Sequence, residues 1–541
     1  MQSTVPWRRE FLAGAIAAAA FLAIYFVARF IWQIPAVPEA VAERILSFVP
    51  PALFEAVVQV LGTLAKKLNF YAILIAIVGF GGLLGLLYGR LLARLGPAGS
   101  GNERTPTMLL YGLGYGLLLW LVYAVTLSPF ILRGFFGLDA SVPVYNAVAT
   151  DVIAFLVFGL ALAYVRQPFT REAVESGAEN VISRRSLAPL AASGLAVGGA
   201  YMLNRTLGAQ SQAYLAGPVD TTTTSPTGEE VPIFQEGFEG LEPLVTPNDE
   251  FYVISKNVID PTVDVNDWNL TITGMVENKM VLDYETFTAM PTTQQYCTLQ
   301  CISNEVGGDL IGNALWEGVP LWNLLLQAGI QPGVKDIVLH AADGYQESIP
   351  VEKAQDPNVI AAFRMNGATL PNNHGFPVRL VVPNIYGMKN VKWLTRIEPV
   401  DHDFRGFWQQ RGWSDEAIIK TMSRIDAPRH GASVSARVDR EVLIGGIAFA
   451  GSRGISKVEV SIDEGDNWQE AILGKALAPF SWVQWKTTWE PPVAANYKIR
   501  VRAYDGTGEL QDEKEVEPAP DGASGWHQVS TRITGISDGQ Q

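Results

Sequence analysis

The chain has 541 residues, a net charge of −14 at pH 7, and 48% hydrophobic residues. Its mean hydropathy of +0.15 is high for a protein that lies wholly in water, and its length suggests three or four domains. Residues 1–205 carry 15 basic and 10 acidic side chains, so residues 206–541 carry 25 and 44, a net charge of −19. Such an acidic second part excludes the basic surface that nucleic-acid binding requires.

Five apolar segments precede residue 206, and each approaches the roughly 20 residues that a helix needs to cross a bilayer. Val41–Leu64 has helical spacing too, but it contains charges and Pro50–Pro51, so we interpret it as an interfacial helix. Residues 1–205 are therefore predicted to form a membrane region with about five transmembrane helices. The predicted spans are Phe11–Trp32, Tyr71–Leu87, Met108–Leu132, Ala147–Val165 and Leu187–Leu203.

Most basic residues that flank these spans lie on one side, which the positive-inside rule assigns to the cytoplasm. Five spans then place residues 206–541 outside the cytoplasm, on a multi-pass cytoplasmic membrane protein. Arg184–Arg185, just before the fifth span, resembles a twin-arginine export signal, although ordinary flanking by basic residues explains the pair equally well. No cleavage pattern follows Leu203, so we expect the fifth segment to remain as an anchor.

All five histidines lie beyond the membrane region, so its helices cannot bind haem through paired imidazoles. They are His340, His374, His402, His430 and His527. The chain also has no CxxCH motif and no set of cysteines for an iron–sulfur cluster. A redox activity would therefore need a separate electron-transfer protein or a quinone as partner. Residues 206–240 are polar and aperiodic, and we interpret them as an extracytoplasmic linker.

The remaining chain alternates short β-rich runs with turns and a few helices. Residues 241–424 are predicted to form an α+β catalytic domain, with strands at Trp268–Thr273, Val378–Pro383 and Val391–Ile397 and a helix at Pro320–Ala328. Residues 425–541 are predicted to form an all-β sandwich. Its strand candidates are Val442–Ala450, Ser456–Ile462, Trp482–Trp489 and Tyr497–Tyr504.

The chain has two cysteines, Cys297 and Cys301, and the second stands between a strand-like run and a Gly-rich turn. A thiolate in such a turn suits soft-metal ligation or nucleophilic attack. A disulfide between the two residues, or an inert buried thiol, is an equally simple explanation. The cysteine spacing completes no zinc site and leaves these alternatives open.

Two cations interrupt apolar runs: Arg379 lies within Val378–Pro383, and Lys392 lies within Val391–Ile397. Neither run contains an acidic residue, and a buried cation needs an anionic partner. The pattern therefore predicts a bound anion. His374, in an Asn-His-Gly turn, is on its own no more than a typical turn residue.

Three groups of motifs follow one another in the second part of the chain. They are Thr298–Asn304 with Leu315–Leu321, Asp343–Pro350, and Asn372–Pro383 with Gly387 and Val391–Leu394. In this order they resemble the sulfite oxidase family of molybdopterin-dependent oxidoreductases, over about residues 245–540. Val458–Trp468 and Arg502–Gln511 resemble that family's C-terminal immunoglobulin-like dimerisation domain. The membrane region lies outside the resemblance.

The resemblance implies a molybdenum–molybdopterin cofactor held by one pterin dithiolene and one protein cysteine, which would be Cys301. It also implies contacts with the pterin or its phosphate from residues on several segments. These residues are Asn257, Asn304, Asp343, Ser348, His374, Arg379, Gly387 and Lys392. A homodimer through the C-terminal domain is implied as well.

The sequence departs from the family's pattern around the substrate. The resemblance implies that Lys256 replaces an arginine, Val258 a histidine and Glu305–Val306 an arginine pair. It also implies that Trp413 occupies the place of a tyrosine, with Arg411 as a surviving cation. Losing arginine forks weakens recognition of a tetrahedral oxyanion. We therefore predict oxygen-atom transfer, or S- or N-oxide reduction, on a small substrate that is less anionic than sulfite. A sulfite dehydrogenase with an atypical pocket and a non-enzymatic surface protein are the alternatives.

Overall fold

The part of the chain that the structure describes falls into two units. One comprises the helices before residue 177 together with Lys256–Thr262, and the other comprises the rest of the described chain from residue 240. The fifth predicted span and nearly all of the predicted linker lie outside the described residues. The computed structural model describes residues 7–32, 36–46, 48–49, 53, 63–95, 104–131, 144–176, 240–257, 260–435 and 441–534.

The helical unit contains four helices that are long and apolar enough to cross a membrane, among the residues described before 177. They overlap the first four predicted spans. The predicted interfacial segment Val41–Leu64 overlaps the end of a shorter helix, α2, and the beginning of α3, while residues 54–62 lie outside the described ranges. The helices are α1 Trp7–Trp32, α2 Val37–Leu46, α3 Thr63–Leu95, α4 Arg104–Val125, α5 Leu127–Phe130 and α6 Val144–Ser176.

Glycines let the long helices pack backbone against backbone. A Cβ atom on Gly14 of α1 would lie 2.2 Å from the carbonyl oxygen of Gly81 in α3. A Cβ atom on Gly159 of α6 would lie 2.1 Å from the carbonyl oxygen of Gly112 in α4. Close backbone approach with its dispersion contacts is the way in which helices associate in lipid, where no hydrophobic force acts between them.

The charged side chains buried in the helical unit are paired. Arg166 Nη2 lies 2.8 Å from Glu10 Oε1, and Arg29 Nη1 lies 3.0 Å from Glu39 Oε2. The hydroxyl of Tyr25 donates to the carboxylate of Asp151 at 2.5 Å. Pairing reduces the cost of holding these groups among apolar helices.

The catalytic domain contains two sheets with a hydrophobic core between its strands and helices. The elements are β1 Asn269–Ile272, β2 Met280–Asp283, α7 Tyr284–Thr288, β3 Thr293–Gln300, β4 Ile311–Pro320, α8 Leu321–Ala328, β5 Asp336–Ala341, β6 Gln346–Pro350, α9 Val351–Ala354, β7 Ile360–Met365, β8 Ala368–Thr369, β9 Arg379–Val381 and β10 Leu394–Val400. The first sheet is mixed, in the order β2-β1-β10-β5-β6. The second is antiparallel, in the order β3-β4-β7-β8, with β9 also paired to β7. Leu321, Leu324 and Leu325 of α8 are fully buried in the core beside the first sheet.

The elements predicted in this domain are present, with one change that affects the site. The strand expected at Val391–Ile397 begins only at Leu394, so Lys392 precedes the strand instead of lying within it. The reason is Trp393, whose φ of 51° is left-handed and incompatible with an extended strand. Arg379, in contrast, begins the short buried strand β9, close to the predicted position.

The C-terminal domain is all-β, as predicted, and consists of two sheets packed face to face. Their orders are β11-β13-β17-β16 and β12-β19-β18-β14-β15. Ile444 and Trp485 of the first sheet pack against Val458 and Val501 of the second. The strands are β11 Met422–Ala427, β12 Ser433–Ser435, β13 Val442–Phe449, β14 Ile455–Ser461, β15 Gln469–Glu470, β16 Ile472–Leu473, β17 Val483–Trp489, β18 Asn496–Asp505 and β19 Gln528–Thr534.

The C-terminal domain also covers the free edge of β3, the strand that leads to Cys301. Cys297 forms a β-bridge with Phe480, and the Thr298 amide donates to the Phe480 carbonyl at 2.9 Å. The Trp482 amide donates to the Thr298 hydroxyl at 2.9 Å. With β4 on its other side, β3 is held along both edges, which fixes the residue that follows it.

Candidate functional site

Cys301 directly follows β3 and opens a tight turn. Its amide donates to the Leu310 carbonyl at 2.9 Å, and its carbonyl accepts from the Asn304 amide at 3.0 Å. The Asn304 side chain closes the turn, because its Oδ1 accepts from the Leu310 amide at 2.8 Å. The Asn304 Nδ2 is buried and has no hydrogen-bond partner in the structure. The turn therefore holds a cysteine in a defined position beside an unused amide donor.

The two cysteines are not joined, so the disulfide considered from the sequence is wrong. Cys297 is fully buried within β3, and burial raises the pKa of its thiol to about 12. A thiol that stays protonated is a poor ligand and a poor nucleophile. Of the two, Cys301 alone remains as a candidate ligand.

Tyr252 and Tyr386 lie beside the Cys301 turn. Tyr386 packs in one cluster with Ile302, the residue after Cys301, and burial raises the pKa values of both tyrosines. Gly387 explains how closely one of them approaches: a Cβ atom there would lie 2.7 Å from the Tyr252 hydroxyl and 3.3 Å from the Gln300 carbonyl. The predicted importance of Gly387 thus has a structural basis in close packing next to Cys301.

Arg379 is buried without a carboxylate to balance its charge. Its Nη1 donates to the His374 carbonyl at 3.0 Å and its Nη2 to the Asn390 carbonyl at 3.4 Å, while its Nε has no hydrogen-bond partner. The guanidinium carbon lies 4.9 Å from the centre of the Trp316 ring. Burial lowers the pKa of Arg379 to about 10. A buried cation held only by neutral groups, with one N–H unused, fits an anionic ligand.

His374 and Lys392 lie beside Arg379 around Gly375. A Cβ atom on Gly375, whose φ is 114°, would lie 2.9 Å from the Lys392 Cβ and 3.1 Å from the Arg379 Cβ. Lys392 Nζ donates to the Asn373 carbonyl at 3.0 Å. His374 Nε2 lies 2.8 Å from the Asn248 carbonyl, and burial lowers the pKa of His374 to about 4, which leaves the ring neutral near pH 7. Three predicted cofactor ligands are therefore brought together.

Asp343 and Ser348 have local structural partners. The Asp343 carboxylate accepts from the Tyr345 amide at 2.9 Å and shapes the turn between β5 and β6. The Ser348 hydroxyl donates to the Phe404 carbonyl at 2.8 Å. Asn257 belongs to the segment grouped with the helical unit, so its predicted contact with the cofactor stays a prediction.

Arg411 and Trp413, the predicted substrate residues, lie in the loop of residues 401–421 between β10 and β11. We call it the aromatic loop because it contains Phe407, Trp408 and Trp413. Trp413 is buried in a cluster with Ile302 and Tyr386, which places it beside the turn after Cys301. Arg411 donates to the Phe407 carbonyl and its guanidinium carbon lies 3.5 Å from the centre of the Phe407 ring. Glu305, expected to repel an anionic substrate, is exposed.

Sequence reasoning missed Tyr345, Glu347 and Lys389. Tyr345 contacts Phe407 of the aromatic loop, with ring centroids 5.8 Å apart. Glu347 and Lys389 form an ion pair that is almost completely buried, with 0% and 2% of their side chains exposed. Tyr345 and Glu347 lie inside one of the recognised motifs, but the neighbours of Glu347, Gln346 and Ser348, are polar as well, so the local pattern does not mark the acid as buried. Their roles depend on contacts with distant segments.

The cysteine turn and the basic cluster fit an anionic, sulfur-ligated cofactor. Among the described residues, no group of three or more His, Cys, Asp or Glu side chains could hold a metal ion. A metal here would therefore take one protein ligand, Cys301, and its other ligands from a cofactor. Arg379 and its neighbours would neutralise that cofactor's phosphate.

Comparisons with known proteins agree with this geometry. Residues 257–408 match an oxidoreductase molybdopterin binding domain, and residues 416–533 match a Mo-co oxidoreductase dimerisation domain. The first match indicates a molybdenum–molybdopterin cofactor, and the second starts before the predicted domain boundary at residue 425. The helical unit before residue 177 lies outside both matches.

The chain is similar to sulfite oxidases of animals and plants. The mitochondrial sulfite oxidase of Drosophila melanogaster is 31% identical over 50% of this chain and 56% of its own length. The sulfite oxidase of Arabidopsis thaliana is 29% identical over 50% and 82%. The chain thus spans little more than half of the first of these relatives.

A bacterial relative is matched over most of its length. It is the protein named uncharacterized oxidoreductase YuiH, from Bacillus subtilis, which is 30% identical over 28% of this chain and 74% of its own length. Both domain matches, the cysteine turn and the basic cluster point the same way. The chain belongs to the sulfite oxidase family of molybdopterin-dependent oxidoreductases.

Proposed function

We propose that this protein is a membrane-anchored molybdenum oxidoreductase that transfers oxygen to or from a small substrate outside the cytoplasm. Either two-electron oxidation by oxygen-atom transfer or reduction of an S- or N-oxide would use the same site. The observation that carries the proposal is Arg379, a buried cation that the described structure leaves without a carboxylate, in the same domain as the Cys301 turn.

In this proposal Cys301 binds the metal as a thiolate, and its turn holds the sulfur in place. The molybdenum–pterin group, when bound, supplies the two-electron chemistry. Asn304 Nδ2, buried without a partner, is free to donate to the cofactor or to a bound oxygen. Cys297, whose thiol stays protonated, contributes packing only.

The basic cluster binds the anionic end of the pterin. Arg379 offers its unused Nε–H and the positive charge of a planar fork, and Lys392 adds a second cation. His374 stays neutral and donates from Nε2 to the Asn248 carbonyl, so its Nδ1 is left as an acceptor. Asp343, Ser348 and Gly387 shape the surrounding backbone, and Asn257 is proposed as a further ligand.

The substrate pocket is proposed to favour a substrate less anionic than sulfite. The Arg411 guanidinium donates to the Phe407 carbonyl and lies over the Phe407 ring. Part of its positive charge therefore interacts with the protein instead of with a substrate. Trp413, Trp408 and Phe407 form successive edge-to-face contacts that make the loop aromatic. Sulfite remains a second candidate because relatives that match this chain carry the name sulfite oxidase.

Electrons are proposed to pass singly to or from a separate redox protein or a quinone. The helices before residue 177 contain no histidine to bind haem, so they serve as an anchor or a docking surface. The match to a dimerisation domain favours a homodimer through residues 416–533. An immunoglobulin-like topology for this domain and export by the Arg184–Arg185 signal are part of the proposal.

The test is turnover of the purified full-length protein, with an artificial electron acceptor for oxidations and an artificial electron donor for reductions. Sulfite, sulfoxides and N-oxides are compared in the direction that suits each, and molybdenum and pterin are measured per chain. We expect stoichiometric cofactor, with turnover of a neutral oxide well above that of sulfite. Robust sulfite turnover would favour the second candidate, and a protein that binds neither metal nor pterin would contradict both.

Two matched variants examine the metal ligand. Cys301→Ala should abolish turnover while the melting temperature of the cofactor-free protein stays unchanged. Cys297→Ala, on the same strand, should keep both its cofactor and its turnover. A fully active Cys301→Ala protein would exclude this residue as the ligand.

A further inference from the structure

A row of hydrogen-bonded side chains connects Tyr345 to the protein surface. The Tyr345 hydroxyl lies 3.2 Å from Glu347 Oε2, and Lys389 Nζ lies 3.1 Å from Glu347 Oε1. The same Lys389 Nζ lies 2.9 Å from Asp415 Oδ1. The row crosses three segments. Tyr345 lies in the turn before β6 and Glu347 lies in β6. Lys389 lies in a 3-10 turn, and Asp415 lies in the aromatic loop.

Exposure is lowest in the middle of this row. The Glu347 side chain is 0% exposed and that of Lys389 is 2% exposed, whereas Tyr345 is partly buried and the Asp415 side chain is 47% exposed. Glu347 and Lys389 therefore do not exchange protons directly with water. The row connects Tyr345 to the surface at Asp415 through two buried groups.

The Tyr345 end of the row packs towards the Cys301 turn. The Tyr345 hydroxyl donates to the Met388 carbonyl at 2.8 Å, and a Cβ atom on the preceding Gly387 would lie 3.3 Å from the carbonyl of Gln300. Gln300 is the residue before Cys301, and Met388 packs against the cluster that contains Ile302, the residue after Cys301. Tyr345 therefore stands between the buried ion pair and the proposed metal ligand.

The surroundings of each member set the protonation state in which it rests. Burial lowers the pKa of Lys389, but two acids, Glu347 and Asp415, raise it by more. Burial raises the pKa of Glu347, and Lys389, Ser348 and Tyr345 oppose that rise only in part. Burial, followed by the Glu347 and Asp343 carboxylates, raises the pKa of Tyr345 and keeps it a neutral phenol.

We propose that Glu347 and Lys389 relay protons between Asp415 at the surface and the hydroxyl of Tyr345 at the reaction site. The inference rests on the proposed function. Moving the oxygen of one water molecule into a substrate releases two protons and two electrons, and reducing an oxide to substrate and water takes up the same numbers. The electrons pass to or from the one-electron partner, so the protons need a path of their own.

In the direction of oxidation, each proton moves by one hop per hydrogen bond. Tyr345 passes its proton to Glu347 and receives one from the reacting water, so that the phenol is unchanged after the transfer. Lys389 gives a proton to Asp415 and is reprotonated by Glu347. Asp415 then releases the proton to solvent, and reduction reverses each hop.

A purely anchoring role predicts different behaviour. Glu347 also packs against the aromatic loop, because a Cβ atom on Gly406 would lie 2.4 Å from Glu347 Oε1. In Glu347→Gln an anchor keeps its shape, because the glutamine Oε1 can accept from Lys389 and the Ser348 amide while its Nε2 donates to the Tyr345 oxygen, whose own proton goes to the Met388 carbonyl. The melting temperature, measured beside kcat, reports the cost of the lost ion pair. A relay fails in that variant, since an amide does not exchange protons with Lys389.

The experiment compares Glu347→Gln with the wild type and with Glu398→Gln, a control that removes another paired carboxylate from the same domain. Glu398 pairs with His340 and Arg396, away from the row. We expect Glu347→Gln to lower kcat about 100-fold with KM changed less than twofold, and to raise the solvent isotope effect. Glu398→Gln should match the wild type, and Asp415→Asn should also lower kcat, because the buried Lys389 then loses its proton acceptor at the surface.

Infrared difference spectra recorded between two pH values supply a readout that needs no turnover. The wild type should show the carbonyl stretch of a buried protonated carboxyl group, and this band should be absent from Glu347→Gln but present in Glu398→Gln. Normal kcat and isotope effect in Glu347→Gln, beside an active wild type, overturn the relay alone. An inactive wild type instead contradicts the proposed function, while a wild type without the carboxyl band overturns the relay.

Discussion

Arg424 Nη1 donates to the carbonyl oxygen of Gly308 at 2.9 Å, which joins the C-terminal domain to the turn that begins at Cys301. The other guanidinium nitrogens bind Asp426 at 2.6 Å and Glu242 at 2.9 Å. The two acids thus hold the arginine in the direction of the turn. A residue of the dimerisation domain therefore supports the proposed metal ligand of the catalytic domain.

Replacing Arg424 by methionine should loosen the Cys301 turn and leave two acids without their cation. Breaking a buried ion pair from one side costs about 3–5 kcal/mol. We expect a lower melting temperature and a reduced molybdenum content per chain. Arg532→Met, at an exposed position of β19 in the same domain, is the control and should change neither quantity. Full metal content in Arg424→Met would show that the turn holds its shape unaided.

His527 should make the protein sensitive to acid. Its Nδ1 accepts from the Ile425 amide at 3.0 Å, its ring packs against Gly307, and burial lowers the pKa of the ring to about 4. The unfolded chain, with a histidine pKa near 6.5, therefore takes up protons before the folded chain does. The stability present above pH 6.5 is lost as the pH falls towards 4, by up to about 1.4 kcal/mol per pH unit.

The variant that checks this is His527→Asn, whose side-chain oxygen can accept from the Ile425 amide without titrating. Its melting temperature should fall less than that of the wild type between pH 7 and pH 4.5. His402→Asn, at an exposed position, should behave like the wild type. Equal acid sensitivity of all three proteins would assign the loss of stability to other groups, including His374.

The sequence was sufficient to predict residues whose chemistry conflicts with their surroundings. Arg379 stands in an apolar run, so its burial and its need for an anion followed from local pattern alone. The spacing of the two cysteines left the role of Cys301 open. Only the order of the family motifs favoured a metal ligand over a disulfide. The four described apolar helices were predicted because a bilayer imposes a long, uninterrupted pattern.

What the sequence could not predict depends on contacts between distant segments. Gln346 and Glu347 are adjacent polar residues of β6, and alternation does not say which one faces inward until Lys389 is placed beside it. The Arg424 side chain reaches Glu242, 182 residues earlier in the chain. Trp393 breaks the predicted strand at Lys392 through a left-handed backbone that no propensity indicates.

Arg379 should affect stability and cofactor binding in opposite directions. In the cofactor-free protein the guanidinium is a buried charge held by carbonyl groups, which is costly. Arg379→Met should therefore remove pterin from the purified protein, yet the variant should melt at least as high as the cofactor-free wild type. Arg364→Met, at an exposed position of β7, should retain its pterin. Normal pterin content in Arg379→Met would contradict the proposed phosphate site.

The side of the membrane on which the catalytic domain lies depends on the segment Leu187–Leu203. If all four apolar helices described before residue 177 cross the membrane, they return the chain to the side on which it started, and a fifth crossing is then needed to place the domain outside. A reporter active only outside the cytoplasm should be active when fused after residue 210 and inactive when fused after residue 180.

Replacing Arg184–Arg185 by two lysines distinguishes a twin-arginine signal from ordinary flanking of the span by basic residues. It should abolish export of the folded domain if the pair is a twin-arginine signal, because lysine preserves the charge, and it should change nothing if the pair only flanks the span.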